Sequence, residues 1–327
     1  MNFYELKIYM NDVDNHPIYS SIKSLLVGEN LVSLKKSFEN GFHLTVFGWF
    51  TNHQISQVSE EFTRVLIAYP TDKYDEATFR NKYKKVAEIA LKEGVLEDIY
   101  QNKVLIAKRK DFYDFQNEEQ LQLYVKINRI FDRWFMDRYW NRNNNILSIT
   151  RDMVPFSTFL PDTVLSREHA LYSNGFVSHL SHYLGLLHSL SGKNKQAVVE
   201  RFEQAGEKDR ESVMENLERD HLLTRELKVL FHEIEDAVKR DVLNFHSPHD
   251  DAHIEMKVGI SSKRHQLAMG TPELNRLILK DPVLITNRWV LNVLYEKLVL
   301  LNIKPLEKFY MNYLLCSIRF KKEEVYA

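Results

Sequence analysis

Residues 42–50 read FHLTVFGWF, a run rich in aromatic and β-branched side chains. Such residues favour the pleated backbone of a strand, and so apolar a run predicts a strand in the centre of a sheet. Because side chains alternate between the faces of a strand, His43, Thr45 and Phe47 are expected on one face. The opposite face carries Phe42, Leu44, Val46 and Gly48. The first face is therefore chemically mixed and is the one that can border a site.

Strands and helices alternate around this run in the first 115 residues. The opening segment FYELKIYM, residues 3–10, alternates in polarity and predicts a half-buried strand. Helical spacing is found at Ile18–Val27, Ser56–Ala68 and Glu76–Lys92, and Val104–Ala107 is a further short strand candidate. We therefore expect an N-terminal strand-helix-strand-helix section with a mixed sheet.

Amphipathic helices dominate the remainder, residues 116–327. Helical spacing is found at Glu118–Tyr139, Leu171–Leu190, Gln196–Asn216, His221–Asn244, Glu255–Met269, Pro282–Leu300 and Pro305–Phe320. The low content of 10 Gly and 8 Pro favours such long helices over repeats of short strands. We expect the fold class α+β, in which the front section and the predominantly helical half share one domain over residues 1–327.

The overall charge excludes some classes of partner. The chain has 44 Lys and Arg against 45 Asp and Glu, a formal net charge of −1 at pH 7, so no global basic field exists to hold nucleic acid or an anionic membrane. It contains no signal-like N-terminus and no apolar run of about 18 residues. Its one cysteine, Cys316, excludes an internal disulfide. We expect a cytoplasmic monomer or homodimer with no nucleic-acid or membrane partner.

Motifs of the common enzyme classes do not occur. The sequence has no Walker loop, GxGxxG, HExxH, GxSxG or paired CxxC, and we expect no cofactor. The one metal-like cluster is FHSPHDDAH, which holds His246, His249 and His253. His249 and His253 are four residues apart and would share a face if helical, but the Ser-Pro break equally fits a solvated loop. A metal site and an exposed turn both remain open.

The densest chemistry lies in residues 174–185, which read NGFVSHLSHYLG. His179 and Tyr183 are four residues apart, as are Ser178 and His182, so a polar ridge would run down a helix with apolar flanks. A buried polar cluster is costly unless its members are hydrogen-bonded or used. Core hydrogen bonding and a functional role are the two interpretations of this ridge.

A second anomaly is the pair Asn287-Arg288 within VLITNRWVLNVLYEKL, residues 283–298. Arg288 falls among apolar residues on a predicted helix, and a buried arginine almost always has a partner. Glu296, two turns further on, is the obvious candidate for a structural ion pair. The alternative is that Arg288 binds a substrate.

Several separated segments together resemble a known family. The strands FYELKIYM and GFHLTVF and the helices GFVSHLSHYLG and TNRWVLNVLYEKL occur in an order that resembles the C-terminal, elimination-type domain of class I lantibiotic dehydratases. The chain is similar above all to the stand-alone relatives of that domain, the thiopeptide-type bacteriocin biosynthesis proteins. The resemblance implies an elimination-domain-like fold, a modified precursor peptide with a leader as partner, and association with other enzymes of the same pathway.

Two activities are known in that family. Elimination domains remove glutamate from Ser or Thr glutamylated with the help of tRNA, whereas pyridine synthases join two dehydroalanines in a formal aza-[4+2] cycloaddition that closes a macrocycle, with loss of water and leader. Elimination domains typically carry arginines in the strand that reads HLTVF here, and a histidine shortly before the Asn-Arg pair. This chain has Thr45 and Phe47 in the strand and Val283–Ile285 before the pair. The resemblance therefore favours cycloaddition of an azole-rich, dehydrated peptide.

Cycloaddition mainly requires that two alkenes and an amide be held in reactive geometry while protons move. Imidazole, hydroxyl and phenol groups suffice for that chemistry. Under this resemblance the expected catalytic residues are Ser178, His179, His182 and Tyr183. The expected substrate-binding residues are His43, Thr45, Asn287, Arg288 and Glu296. Glutamate elimination and a non-catalytic, leader-binding relative are the alternatives.

Overall fold

The computed structural model describes residues 1–11, 16–27, 31–89, 94–108, 115–141, 145–159, 176–215, 222–244 and 280–319. The chain divides into two compact units. The first comprises Met1–Phe112, Phe131–Asp137 and Tyr295–Asn302, and the second comprises Tyr113–Ile130, Arg138–Leu294 and Ile303–Ala327. None of the described helices is long and apolar enough to cross a membrane.

Four strands and ten helices make up the described residues. In chain order they are β1 (Asn2–Tyr9), α1 (His16–Val27), β2 (Val32–Ser37), β3 (His43–Phe50), α2 (Asn52–Ala68), α3 (Glu76–Ile89), β4 (Lys103–Lys108), α4 (Glu118–Asn141), α5 (Ile146–Phe159), α6 (Phe176–Ser189), α7 (Gly192–Met214), α8 (Leu222–Lys239), α9 (Pro282–Leu300) and α10 (Pro305–Arg319). The predicted fold class, α+β, is confirmed.

The strands form a single sheet in the first unit, with the order β2-β3-β1-β4. The predicted central position of β3 is confirmed, but the prediction of a mixed sheet is wrong because all three pairings are antiparallel. The connection through α1 does return β2 parallel to β1. Since β3 lies between those two strands, no parallel pair forms.

The apolar face of the sheet holds the core of the first unit. Leu6, Ile8, Leu34 and Val46 are fully buried there. Helix α2 packs against β1, β3 and β4, and Tyr4 at the end of this face donates a hydrogen bond from its hydroxyl to Asn52 Oδ1 at 2.6 Å. Gly48 allows β2 to approach β3, since a Cβ there would lie 2.2 Å from the Leu31 carbonyl oxygen.

Two features of this unit were not anticipated. Helix α2 begins at Asn52 rather than at the predicted Ser56, because Thr51 and Gln54 form a reciprocal capping box that satisfies the first backbone N–H groups. Strand β2 was not predicted at all. Its side chains on the mixed face, Ser33, Lys35 and Ser37, are polar, so the segment lacks the apolar run that marked β3.

The second unit is helical. Helix α10 packs against α5, α6 and α7, and α5 packs in turn against α7 and α8. The predicted helices Pro282–Leu300 and Pro305–Phe320 are confirmed within one residue, whereas α5 was not predicted. The helix predicted around Glu255–Met269 and residues 171–175 of another lie outside the described residues. The expectation of one domain over the whole chain stays a prediction.

Candidate functional site

His179 belongs to the polar ridge on α6 and lies in the interior of the second unit. On the same helix Leu180, Tyr183 and Leu187 are buried, and the His179 side chain is only 1% exposed. Its Nδ1 atom lies 2.7 Å from Oδ1 of Asn312 on α10. The pair is one point at which α6 and α10 are tied together by a polar contact.

The partner of Nδ1 fixes the state of the imidazole. An amide oxygen only accepts hydrogen bonds, so Nδ1 of His179 carries the hydrogen and Nε2 carries the lone pair. Burial lowers the pKa of His179 to about 4, and the hydrogen bond to Asn312 opposes that shift. The imidazole is therefore neutral at pH 7 and suits hydrogen-bond acceptance at Nε2 better than storage of a proton.

Four aromatic rings from α6, α7 and α10 contact one another, and we call this group the aromatic cluster. It consists of Tyr183 on α6, Phe202 on α7, and Tyr310 and Tyr313 on α10. The Tyr183 ring centroid lies 5.2 Å from that of Tyr313 and 6.0 Å from that of Phe202. Gly206 brings α7 close to the cluster, because a Cβ there would come within 2.7 Å of Tyr313 Cε1.

Burial raises the pKa values of two tyrosines in the aromatic cluster. Burial raises the pKa of Tyr310, and the hydrogen bond that its hydroxyl donates to Asp209 Oδ2 at 2.7 Å raises it further. Burial also raises the pKa of Tyr313. Both tyrosines are therefore held in the neutral phenol form, in which they can donate a hydrogen bond.

The other predicted residues of α6 differ in access to solvent. Tyr183 is completely buried, whereas His182 is only partly buried. Ser178 belongs to the helix, but its side chain lies outside the part of the chain that the structure describes. Of the three described side chains, His182 is the one within reach of a molecule in solvent.

His43 occupies the mixed face of the sheet in the first unit. It is 2% exposed, its Nδ1 lies 3.0 Å from the Gly41 carbonyl oxygen, and its ring centroid lies 4.7 Å from that of Tyr9. The carbonyl fixes the hydrogen on Nδ1, as Asn312 does for His179. Burial lowers the pKa of His43 to about 4, although the Gly41 contact opposes this.

Thr45 lies two residues further along the same face. It pairs with Lys7 on β1 and with Lys35 on β2, so a lysine flanks it on each side. The residue is completely buried, and its hydroxyl has no hydrogen-bond partner among the described residues. Lys35 itself approaches Oε1 of Glu5 at 3.5 Å.

Asn287 and Arg288 lie on the part of α9 that belongs to the second unit, whereas Glu296 belongs to the first unit. Asn287 is 1% exposed, and Arg288 is half-buried. Burial lowers the pKa of Arg288. Of the predicted site residues, the structure thus brings His179 and Tyr183 together on one helix face, and His43 and Thr45 on one strand face.

The most deeply buried charges were missed by sequence reasoning. Asp132 and Lys297 are both completely buried in the first unit, with Nζ of Lys297 2.6 Å from Oδ1 of Asp132. Asp132 also accepts hydrogen bonds from the Ser33 hydroxyl and, at 3.3 Å, from the Leu34 N–H. Lys297 donates to the Leu34 carbonyl and, at 3.4 Å, to Ser33 Oγ. We call these groups the ion-pair clamp.

Every polar atom of the clamp finds a partner, which is the condition for burying two charges. Burial raises the pKa of Asp132 and lowers that of Lys297, while the attraction between the two groups opposes both shifts. A charged residue on the buried stripe of a predicted helix, such as Asp132 beside Phe131 and Phe135, is the sequence signal that could have revealed it.

Metal binding finds no support in the described residues, where no group of three or more His, Cys, Asp or Glu side chains is placed to hold an ion. The predicted metal candidates His246, His249 and His253 lie outside those residues. They stay a prediction from the sequence.

The class of protein that the fold defines is an α+β one, with a four-stranded antiparallel sheet and a helical unit. Among solved structures the same fold occurs in a pyridine synthase, TbtD, from thiomuracin biosynthesis, with a TM-score of 0.67, 13% identity and 97% of each chain covered. TsrL has it too, with a TM-score of 0.61, 12% identity, and 96% of this chain and 93% of TsrL covered. No family model and no curated protein matches the sequence.

These similarities extend over nearly the whole chain, and they confirm at the level of fold the resemblance inferred from the sequence. At 12–13% identity they show a shared fold alone. The reaction has to be argued from the residues of this chain.

Proposed function

We propose that this protein is a tailoring enzyme for ribosomally made, post-translationally modified peptides. It carries out a formal aza-[4+2] cycloaddition between two dehydroalanines of an azole-rich precursor, closing a macrocycle with loss of water and leader peptide. The observation that carries the proposal is the shared fold with a pyridine synthase over 97% of both chains. The sequence adds a reason to prefer cyclisation, since the arginines and histidine typical of glutamate elimination are missing.

The reaction makes modest demands on side chains. An amide must pass its N–H proton to its own oxygen so that an imidic tautomer can serve as the diene partner. After the ring has closed, protons must reach the departing hydroxyl and the nitrogen of the departing leader. Neutral imidazoles and phenols can relay such protons without a metal or an organic cofactor.

The α6 residues divide these roles according to their access. His182, which is partly exposed, contacts the peptide and exchanges protons with it. His179 acts as a positioning residue, because its Nδ1–H is committed to Asn312 and its low pKa keeps it neutral. Tyr183 and Ser178 complete the relay. The resemblance assigns His43, Thr45, Asn287, Arg288 and Glu296 to peptide binding, and of these Arg288 and Glu296 are partly exposed.

Incubation with a dehydrated, azole-containing precursor peptide, followed by mass spectrometry, tests the proposal. Cyclisation is expected to release the leader as an amide and to remove one water from the core. Loss of a glutamyl mass from a glutamylated precursor would instead indicate elimination. An unchanged mass with tight binding would indicate a recognition module, and either of these two outcomes overturns the proposal.

Variants locate the chemistry. His182→Ala is expected to lower turnover by about 10²–10⁴-fold, the usual contribution of a general acid–base group. The matched control is His232→Ala on α8, whose side chain is 81% exposed, and it should retain full turnover. Full turnover by His182→Ala would remove this histidine from the mechanism.

A further inference from the structure

The two edges of the sheet are treated differently. Strand β2 forms one edge and β4 the other. At the β2 edge, the ion-pair clamp occupies the backbone of Leu34, with Asp132 accepting from its N–H and Lys297 donating to its carbonyl. These side chains stand where a neighbouring strand would otherwise pair, so this edge is closed.

The hydrogen-bonding pattern identifies the backbone groups on the outer side of β4. The Trp49 N–H donates to the Leu31 carbonyl, so the backbone N–H and C=O groups of odd-numbered β3 residues point towards β2. The Met10 N–H donates to the Phe42 carbonyl, so the backbone groups of even-numbered β1 residues point towards β3. Odd-numbered residues of β1 therefore pair with the odd-numbered residues of β4. The groups that point outward belong to Val104, Ile106 and Lys108.

The β4 edge is open in the part of the chain that the structure describes, since no hydrogen bond there reaches these three outward-pointing backbone positions. Lys103 and Lys108 are exposed, and Ile106 is 44% exposed. A row of unpaired donors and acceptors beside an exposed apolar side chain is a template for an added strand.

Charge decides what kind of strand fits. Residues 103–110 read KVLIAKRK, with four cations and no acidic residue. A second copy of β4 would bring the same four cations and no acidic residue to the edge, so its charges would repel those of the first copy. An acidic strand would meet complementary charge at both ends.

We propose that the outer edge of β4 binds an extended acidic peptide segment by strand addition. This inference rests on the proposed function in one respect, namely that the segment belongs to the peptide substrate. Lys103 and Lys108 are five residues apart and therefore project from opposite faces of the strand. The matching segment carries two acidic residues five positions apart, with an apolar residue two positions from the acid that faces Lys108, to meet Ile106.

A synthetic probe tests the edge without reference to turnover. The probe is a fluorescent peptide of about ten residues containing Glu-Thr-Val-Thr-Thr-Glu, and its binding is measured by anisotropy. One control replaces both glutamates by glutamine, and another methylates alternate backbone nitrogens without changing the charge. Binding should weaken roughly tenfold with either control. Equal binding of the N-methylated probe would mean charge attraction without strand addition and would overturn the proposal.

Protein variants place the probe on β4. Ile106→Pro removes one outward N–H but no hydrogen bond to β1, so the sheet should persist while binding weakens about tenfold. Ile106→Val, which keeps the N–H, is the matched control. Because Ile106→Pro could still disturb folding, Lys103→Glu/Lys108→Glu provides a second test with an expected loss of about three- to tenfold. Unchanged binding by both variants would refute the site.

Hydrogen exchange separates the remaining outcomes. With the probe bound, the amides of Val104, Ile106 and Lys108 should become protected, whereas protection that depends only on protein concentration would mean that a second copy pairs there and would overturn the peptide as occupant. Precursor turnover is measured in parallel. Turnover without probe binding at β4 sinks this inference alone, while probe binding without turnover of the precursor sinks the proposed cyclisation and leaves the edge site standing.

Discussion

Each unit contains a buried polar network, and the two networks offset the free-energy cost of burying polar groups in different ways. In the first unit, Asp132 and Lys297 are charged, completely buried and bonded to Ser33 and to the backbone of Leu34. In the second unit, His179 and Asn312 form a neutral pair at 2.7 Å. A deep ion pair tolerates no missing partner, so the first network acts as a clamp on an edge strand.

The neutral network has more freedom. An imidazole whose pKa is lowered by burial is buried without charge. Its hydrogen-bonding pattern can change without leaving an ion in the protein interior. It also lies on the same helix as the partly exposed His182. Charged groups therefore stabilise the fold of the first unit, and neutral polar groups lie where chemistry is proposed in the second.

The sharpest way to break the first network is Lys297→Met. The change leaves the Asp132 carboxylate buried without its cation, and the free energy of unfolding should fall by about 3–5 kcal/mol. Urea unfolding followed by circular dichroism measures the loss. Lys304→Met, at an exposed lysine, is the control and should change stability little. Lys297→Met/Asp132→Leu should regain most of the loss, and a single variant as stable as the wild type would contradict the clamp.

The free energy of unfolding should fall at acidic pH because His43 and His179 are buried in the neutral form. Their folded pKa values of about 4 lie below the ordinary value of 6.5, so between these limits the unfolded chain binds protons that the folded protein does not. Stability is therefore complete above pH 6.5 and is lost as the pH falls towards 4, by about 2 kcal/mol per histidine at pH 5. Urea unfolding between pH 7 and pH 5 measures this slope.

Glutamine variants assign the slope to each network. His179→Gln and His43→Gln should each remove their own share of the pH dependence, and His232→Gln, at an exposed position, should not. Identical slopes in all four proteins would show that neither buried histidine is responsible.

The neutral network should be easier to perturb than the clamp. Asn312→Leu removes the acceptor of the His179 Nδ1–H, which should cost about 1–2 kcal/mol. Since the amide hydrogen bond raises the pKa of His179, its loss should lower that pKa further. Titration of the imidazole resonances by NMR measures the shift. Asn312→Asp, which restores an acceptor and adds a negative charge, should raise the pKa instead, and an unmoved pKa in both variants would contradict the assigned hydrogen bond.

The smallest effect on stability is expected from Thr45→Val. Its buried hydroxyl has no partner among the described residues, so replacing it by a methyl group should change the free energy of unfolding by no more than about 1 kcal/mol, in either direction. Precursor kinetics then separate two roles. If Thr45 binds the peptide, KM should rise with stability unchanged. Thr63→Val on the exposed face of α2 is the control, and equal KM values would remove Thr45 from the binding site.

Local pattern was enough to predict several elements. Alternation in FYELKIYM and the apolar run around Val46 predicted β1 and β3, and helical spacing between prolines predicted α9 and α10. The polar ridge of α6 was visible for the same reason, because residues four apart share a helix face. Strand β2 escaped prediction because Lys36 stands on its apolar face, which leaves only Val32 and Leu34 in the alternation. The antiparallel order of the sheet depends on which strand inserts between β1 and β2.

The sequence by itself determined the fold class, the central strand and the position of the histidine-rich ridge, since these depend on the periodicity of neighbouring residues. Only the tertiary structure decided which polar groups meet. Asp132 and Lys297 are 165 residues apart, and His179 and Asn312 are 133 residues apart. Nothing in local periodicity encodes such contacts, because they arise from the packing of whole elements. That packing also decided which edge of the sheet is closed and which is left open by the described residues.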